Sequence, residues 1–142
     1  MYQKLTIVGN LGQDPDMRYM PDGQPVTNLS VANNRRWTDR ATGEVQEEVT
    51  WVRVSVWDKQ AEACNQYLRK GRQVLVEGRL RPDANTGGPR LWTRSDGSVG
   101  ASFEMVADRV IFLGSGEGTH GNGNGNGQAA GEPAYAEDEI PF

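Results

Sequence analysis

The sequence predicts an all-β barrel of five strands with one short helix, followed by a tail that does not join it. Three observations lead there. Residues 49–57 read VTWVRVSVW, with a β-branched or aromatic side chain at nearly every other position. Ala61, Cys64, Tyr67 and Leu68 recur at helical spacing just after that run. Residues 114–131, GSGEGTHGNGNGNGQAAG, hold eight Gly in 18 positions and no large apolar side chain. Such a segment buries too little surface to offset its ordering entropy.

The elements follow in order. Residues 2–8 are β-rich and end at Gly9-Asn10, and Met20-Pro21-Asp22-Gly23 reads as a turn. Residues 26–32 form a second strand, with Leu29 and Val31 alternating. Arg40-Ala41-Thr42-Gly43 is a turn at a hairpin-like position. In residues 49–57, Val52, Val54 and Val56 share one face by period 2, and Trp51, Arg53, Ser55 and Trp57 share the other. The helix then ends with Gly71 as its expected C-cap. Residues 73–80 and 102–113 supply the last two strands. Five strands with a helix between the third and fourth fit a small barrel of the OB type.

Composition excludes several classes. No stretch approaches 18 consecutive apolar residues, so no spanning helix is expected. The start is too short and polar for a secretory signal. One Cys forms no internal disulfide, and one Cys with one His makes no ordinary Zn site. No cofactor or metal is therefore expected. The one His, His120, lies in the Gly/Asn-rich segment, which holds no catalytic geometry. Cys64 reads as a small buried hydrophobe. Gly9-Asn10-Leu11-Gly12 lacks the Gly-Lys-Ser/Thr of a phosphate loop. No catalytic residue is expected, and the chain reads as a binder rather than an enzyme.

The formal charge of -4 is unevenly spread. All 15 Lys and Arg lie in residues 1–113 with 14 of the 19 acids, so the body is near +1 and the remainder -5. The four Trp are the informative residues. Trp51 and Trp57 share a strand face with Arg53, Trp37 follows Arg35-Arg36, and Trp92 lies between Arg90 and Arg94. Indoles interleaved with cations suit unpaired nucleic acid, because rings stack on bases and cations neutralise phosphates. Lys4, Arg18, Arg40, Arg53, Lys59, Arg69, Lys70, Arg72, Arg79 and Arg81 are the candidate phosphate contacts. The same face would serve an RNA-binding barrel, and the Trp residues would equally serve a protein interface in an adaptor.

The motifs add a resemblance. VGNLGQDPDMRYMPDG (8–23), WTDRATGEVQEEVTW (37–51), QYLRKGRQVLVEGRL (66–80) and EDEIPF (137–142) resemble those of bacterial-type single-stranded DNA-binding proteins. The resemblance implies an OB-fold DNA-binding domain over 1–113, a flexible linker over 114–131 and a protein-interaction tip over 132–142. It implies base-stacking roles for Trp37, Trp51, Trp57 and Trp92, the third of which is often Phe in the family. It also implies a homotetramer wrapped by single-stranded DNA, at work in the cytoplasm on the bacterial nucleoid. Glu137, Asp138 and Glu139 would steer the tip to a basic rim of replication, recombination and repair proteins. Ile140, Pro141 and Phe142 would provide the apolar anchor. The loop 82–90, PDANTGGPR, is longer than the family's usual one.

Overall fold

The computed structural model describes residues 1–114. The expected linker beyond Gly114 and the expected tip at 132–142 lie outside the described residues. The described chain falls into two compact units, Met1–Asn34 with Val49–Gly114, and Arg35–Glu48.

The elements run β1 (Leu5–Leu11), β2 (Asp16–Tyr19), β3 (Pro25–Thr38), β4 (Val45–Trp57), α1 (Asp58–Tyr67), β5 (Gln73–Leu80), β6 (Arg90–Thr93) and β7 (Val99–Leu113). Strands β1, β5, β7, β4 and β3 neighbour one another in that order. Antiparallel pairing of Asn10 with Ala32 and Leu11 with Val31 brings β3 back to β1. The result is the closed five-stranded OB barrel, with β4 and β7 parallel. The short β2 adds to β3 and the short β6 to β7.

Closure needs two close approaches of backbone. A Cβ on Gly9 would strike the Ala32 carbonyl oxygen and come within 2.7 Å of Val31 Cγ1. A Cβ on Gly78 would strike the Val106 carbonyl oxygen. Gly78 sits where the β5–β7 register shifts, Glu77 facing Arg109 and Gly78 facing Ala107. The extra residue, Asp108, bends the strand as a bulge does. The Gln60 side-chain amide of α1 serves the break: its Nε2 donates to Asp108 O at 2.9 Å and its Oε1 accepts from Val110 N at 3.0 Å.

The core is formed by inward residues of every long strand. Val52, Val54 and Val56 of β4 meet Leu11, Leu29, Val31, Val74, Val76 and Met105. Ala61, Cys64 and Leu68 are buried along one face of the helical segment. Burial pushes the Cys64 thiol up to about 11, so it stays protonated at neutral pH. Thr27 Oγ1, also buried, donates to Ala61 O at 2.7 Å and fixes α1 against β3. β4 passes into α1 without a loop because Asp58 takes a left-handed φ of 59°, which the short side chain of Asp tolerates.

Three expectations need correction, and two short strands, β2 and β6, add to the five expected. β1 does not end at Gly9-Asn10 but runs through them to Leu11, since both residues still pair with β5. β2 and β6, four residues each, were too short for a periodic signal. Gly71 is not the helix cap. α1 stops at Tyr67 with Leu68 as C-cap, whose N–H donates to Cys64 O, and Gly71 (φ 88°) serves the next turn. Tyr67 is exposed rather than on the core face; it is the last helical residue, and its ring lies 6.5 Å from that of Phe112.

The unit Arg35–Glu48 is a hairpin end. Asp39 N donates to Glu44 O and Gly43 N to Asp39 O, both at 2.8 Å. The Asp39 carboxylate accepts the N–H of Ala41 at 2.7 Å, and Gly43 supplies the positive φ of 71°. Its strands are laced by Arg36–Glu47 at 3.0 Å and Arg35–Glu48 at 3.4 Å.

Gly78→Ala is expected to lower stability by about 1–3 kcal/mol, because the methyl meets rigid backbone rather than a yielding side chain. Urea denaturation would read this as a lower midpoint at unchanged slope.

Candidate nucleic-acid interface

Alternation on β4 places the site. With Val52, Val54 and Val56 inside the barrel, Trp51 and Arg53 face outward, and Trp51 is 54 % exposed. Ser55, on the same parity, is buried and its Oγ donates to Asn28 Oδ1 at 3.2 Å. Trp57 is half-buried where β4 meets α1. The rings thus lie on the outside of the barrel wall.

A groove of about 580 Å³ runs over this wall. Arg18 of β2, Arg53 of β4, Arg81 after β5, and Arg90 and Trp92 of β6 line it together with Gln13, Asn28 and Ser30. Its acids are Asp16 and Glu104. Four guanidiniums against two carboxylates leave a local positive excess that the formal charge of the whole chain conceals. Asp16 pairs with Arg18 at 3.2 Å in the open, an arrangement that holds little energy and yields readily to a phosphate. Glu104 is different. Its side chain is 7 % exposed, and it holds Arg90 at 3.6 Å.

Two glycines seat two of the rings. A Cβ on Gly12 would strike Trp51 Cζ3 and come within 2.6 Å of Cη2, so the indole lies across bare backbone. Gly12 adjoins Gln13 of the groove wall, which sets Trp51 at the groove's edge. Gly100 faces Trp92 across the β6–β7 ladder, and a Cβ there would come within 2.6 Å of Trp92 Cζ2. A large ring laid over a cross-strand glycine covers backbone that would otherwise be bare.

The rings differ in what already covers them. Arg94 Cζ lies 4.7 Å from the Trp92 ring centre, and its Nη1 is held by Ser98 Oγ and Val99 O. The Asp96 carboxylate, kept below its usual range by the hydroxyl and N–H of Ser98, anchors that turn. In the hairpin unit, Arg35 Cζ lies 5.0 Å from the Trp37 ring centre. Trp37 is 38 % exposed and Trp92 44 %. An exposed cation–π contact is worth about 0.5–1 kcal/mol, and base stacking about 1–3 kcal/mol. A base can therefore displace the arginine with net gain, but with less gain than on Trp51.

The structure brings Arg18, Arg53, Arg81 and Trp92 into one groove and sets Trp51 beside it. It does not bring the other expected cations there. Lys4 is paired with Glu77 at 3.0 Å, which raises its pKa. Arg69 Nη1 donates to the carbonyls of Leu68 and Asn65 at the end of α1. Lys59 is exposed on α1, and Arg40 is exposed in the hairpin unit. Lys70 and Arg72 border the turn at Gly71, where Lys70 N donates to Asp14 Oδ1 at 2.8 Å and Gly71 N to Leu11 O. The sequence placed Arg90 beside Trp92 but did not single it out as a phosphate contact. The order Arg90-Leu91-Trp92 carries the signal, since period 2 puts Arg90 on the Trp92 face, but only once β6 is recognised as a strand.

Known proteins share this architecture. The sequence profile described as "Single-strand binding protein family" matches residues 2–113. A Plasmodium falciparum SSB solved in complex with ssDNA superposes with a TM-score of 0.65 at 29 % identity, covering 80 % of this chain and 97 % of that one. A deletion mutant of the single-stranded DNA binding protein from Thermus aquaticus gives 0.61 at 28 %, covering 80 % of this chain and 51 % of that one. A small single-stranded DNA-binding protein from Streptomyces coelicolor gives 0.64 at 23 %, covering 80 % and 96 %, a likeness of fold.

Gly12→Ala is expected to lift the Trp51 ring from its seat. With Trp51→Phe as the reference that isolates this ring's emission, acrylamide quenching of Trp51 should rise. Unchanged quenching would mean that the ring does not rest on Gly12.

Proposed function

The chain belongs to the Single-strand binding protein family, and on that premise we propose that it binds single-stranded DNA with little sequence preference. In this reading it protects the strand and recruits replication, recombination and repair proteins through its C-terminal tip. The observation that carries the DNA reading is the exposed Trp51 ring beside an arginine-lined groove. Likeness to a structure solved with ssDNA supports it.

The mechanism is stacking with phosphate neutralisation, and it makes or breaks no covalent bond. Every base has a π face, so rings accept most sequences; a duplex hides those faces, so single strands are favoured. Trp51 gives the open platform, Trp92 and the half-buried Trp57 extend it, and Trp37 of the hairpin unit is assigned a stacking role of its own. Arg18, Arg53, Arg81 and Arg90 meet phosphates in the groove, with Lys4, Arg40, Lys59, Arg69 and Lys70 assigned to the strand's further path. Site residues of this kind act by position and charge, and no cofactor enters.

The assembly we propose is a homotetramer. Along Leu5–Gly9, β1 is paired with β5, while its contact with β3 is confined to Asn10 and Leu11. The strand edge left over is a template for a second copy. The tip Glu137-Asp138-Glu139-Ile140-Pro141-Phe142 suits a basic rim around an apolar pocket on a partner protein. No helix among the described residues is long and apolar enough to cross a membrane. We assign the protein to the bacterial cytoplasm and nucleoid, where its DNA ligand lies.

Titration with poly-dT is expected to quench Trp fluorescence, and Trp51→Ala to weaken binding by about 5- to 150-fold, the equivalent of 1–3 kcal/mol. Affinity should fall with salt at a log–log slope near -0.7 per phosphate neutralised. Saturating DNA without any fluorescence change would reject the stacking mechanism.

Deleting residues 132–142 removes four acids and the apolar end together. DNA affinity is expected to stay equal or rise, because an acidic segment competes weakly with DNA for the groove. Pull-down of partner proteins should be abolished. Weaker DNA binding by the truncated chain would count against this division of labour.

A further inference from the structure

We propose that the DNA track continues past Arg81 into a second recess that takes one unpaired nucleobase against the ring of Phe103. The inference rests on the reading that the chain binds single-stranded DNA and adds a base subsite to it.

The recess holds about 320 Å³, at the small end of the volumes that bind small ligands. Leu80, Pro82, Pro89 and Phe103 give it apolar walls. Phe103 is 56 % exposed and Leu80 43 %, so two large apolar groups meet water there side by side. A single exposed ring is ordinary. A ring, an isobutyl group and two prolines around one concavity form a binding surface.

Continuity selects the occupant. Arg81 and Glu104 line both this recess and the arginine groove, so the two are one surface with Arg81 between them. A strand that leaves the groove with a phosphate on Arg81 presents its next base to the recess. A flat aromatic base attached to an anion matches an apolar slot with a guanidinium at its edge. An uncharged apolar peptide would use Phe103 but would have no use for Arg81.

The recess is built before anything enters it. Its outer wall is the loop 82–89, which closes on itself: Asp83 N donates to Gly88 O and Gly87 N to Asp83 O, both at 2.9 Å. The Asp83 carboxylate accepts the N–H groups of Asn85 and Thr86 at 2.9 and 3.1 Å, contacts that also hold it below the usual carboxylate range. Gly87 takes the positive φ of 71° that this tight loop requires. On the opposite side Gln3 Oε1 accepts from Leu80 N at 3.1 Å. A preformed slot spares the ordering entropy that a loose loop would lose on binding.

The test uses the full chain and dT oligonucleotides. Phe103→Ala is expected to weaken binding about tenfold, within the range of one lost stacking contact, with the salt slope unchanged because no cation is removed. Phe103→Trp should restore affinity. Irradiation of the unaltered protein with a 5-iodo-dU oligonucleotide should place an adduct on Phe103. If Phe103→Ala binds like the unaltered chain while Trp51→Ala is weakened, the recess is not a base site and the DNA reading stands. Adducts confined to the tryptophans would overturn the proposal in the same way. A lower molar mass of Phe103→Ala by light scattering, with DNA affinity per chain unchanged, would make the recess an interface between copies and overturn it. Failure of the unaltered protein to bind any dT oligonucleotide would bring down the DNA reading and this subsite together.

Discussion

Everything on the outer surface depends on barrel closure at two points where backbone meets backbone. Gly9 lets β1 approach β3 at Ala32, and Gly78 lets β5 cross Val106 of β7. A side chain at either crossing would spread the strands. Once the ring is closed, each strand has an inside and an outside, and the period of two becomes a sorting rule. Val52, Val54 and Val56 fill the interior, so Trp51 and Arg53 are pushed out to solvent. No separate folding event is needed to expose the indole; its exposure follows from the packing of its neighbours.

An exposed indole on its own would be mobile. Here two more glycines, on the outside of the barrel, solve the opposite problem to those at the crossings. Gly12 and Gly100 leave bare backbone on which Trp51 and Trp92 rest. A ring resting on backbone keeps one face for a ligand and loses little rotational freedom when the ligand arrives. Trp92 and Trp37 add a guanidinium, from Arg94 and Arg35. That cation covers one ring face, and on the proposed reading a base would displace it. The same guanidinium would then be free for a phosphate, which would partly offset the lost cation–π contact.

The barrel was legible in the sequence because β-branched and aromatic residues recur along its long strands, with the Val52, Val54 and Val56 period of β4 the plainest. The helix was legible from Ala61, Cys64 and Leu68. What could not be read was whatever depends on pairing between distant residues. β2 and β6 have four residues each, and only β3 and β7 make them strands. Arg90 therefore went unassigned, although Trp92 two residues on was singled out. Gly71 looked like a helix cap because it follows the helical pattern, whereas it sits in a turn and its N–H donates to Leu11 O of β1. Lys4 and Arg69 read as free cations, but Glu77 and the end of α1 engage them. Charge is visible in a sequence; the partner that occupies it is not.

The weak net charge of the body, near +1, then ceases to be an objection to an anionic ligand. What a phosphate meets is the local field, and at physiological salt that field reaches only about 8 Å. Along the barrel wall the groove presents Arg18, Arg53, Arg81 and Arg90 against two carboxylates. One of these, Glu104, is buried and hydrogen-bonded to Ser102 Oγ at 3.3 Å, so it is positioned to orient Arg90 rather than to face the ligand. Removing it would leave Arg90 untethered beside the same wall. In the reading proposed above, a few guanidiniums with short reach, and rings that read no sequence, would grip an unpaired strand and release it as salt rises. A uniformly basic body would bind duplex and single strand alike. Confining the charge to a groove edged by indoles makes the π faces of unpaired bases the feature that decides between them.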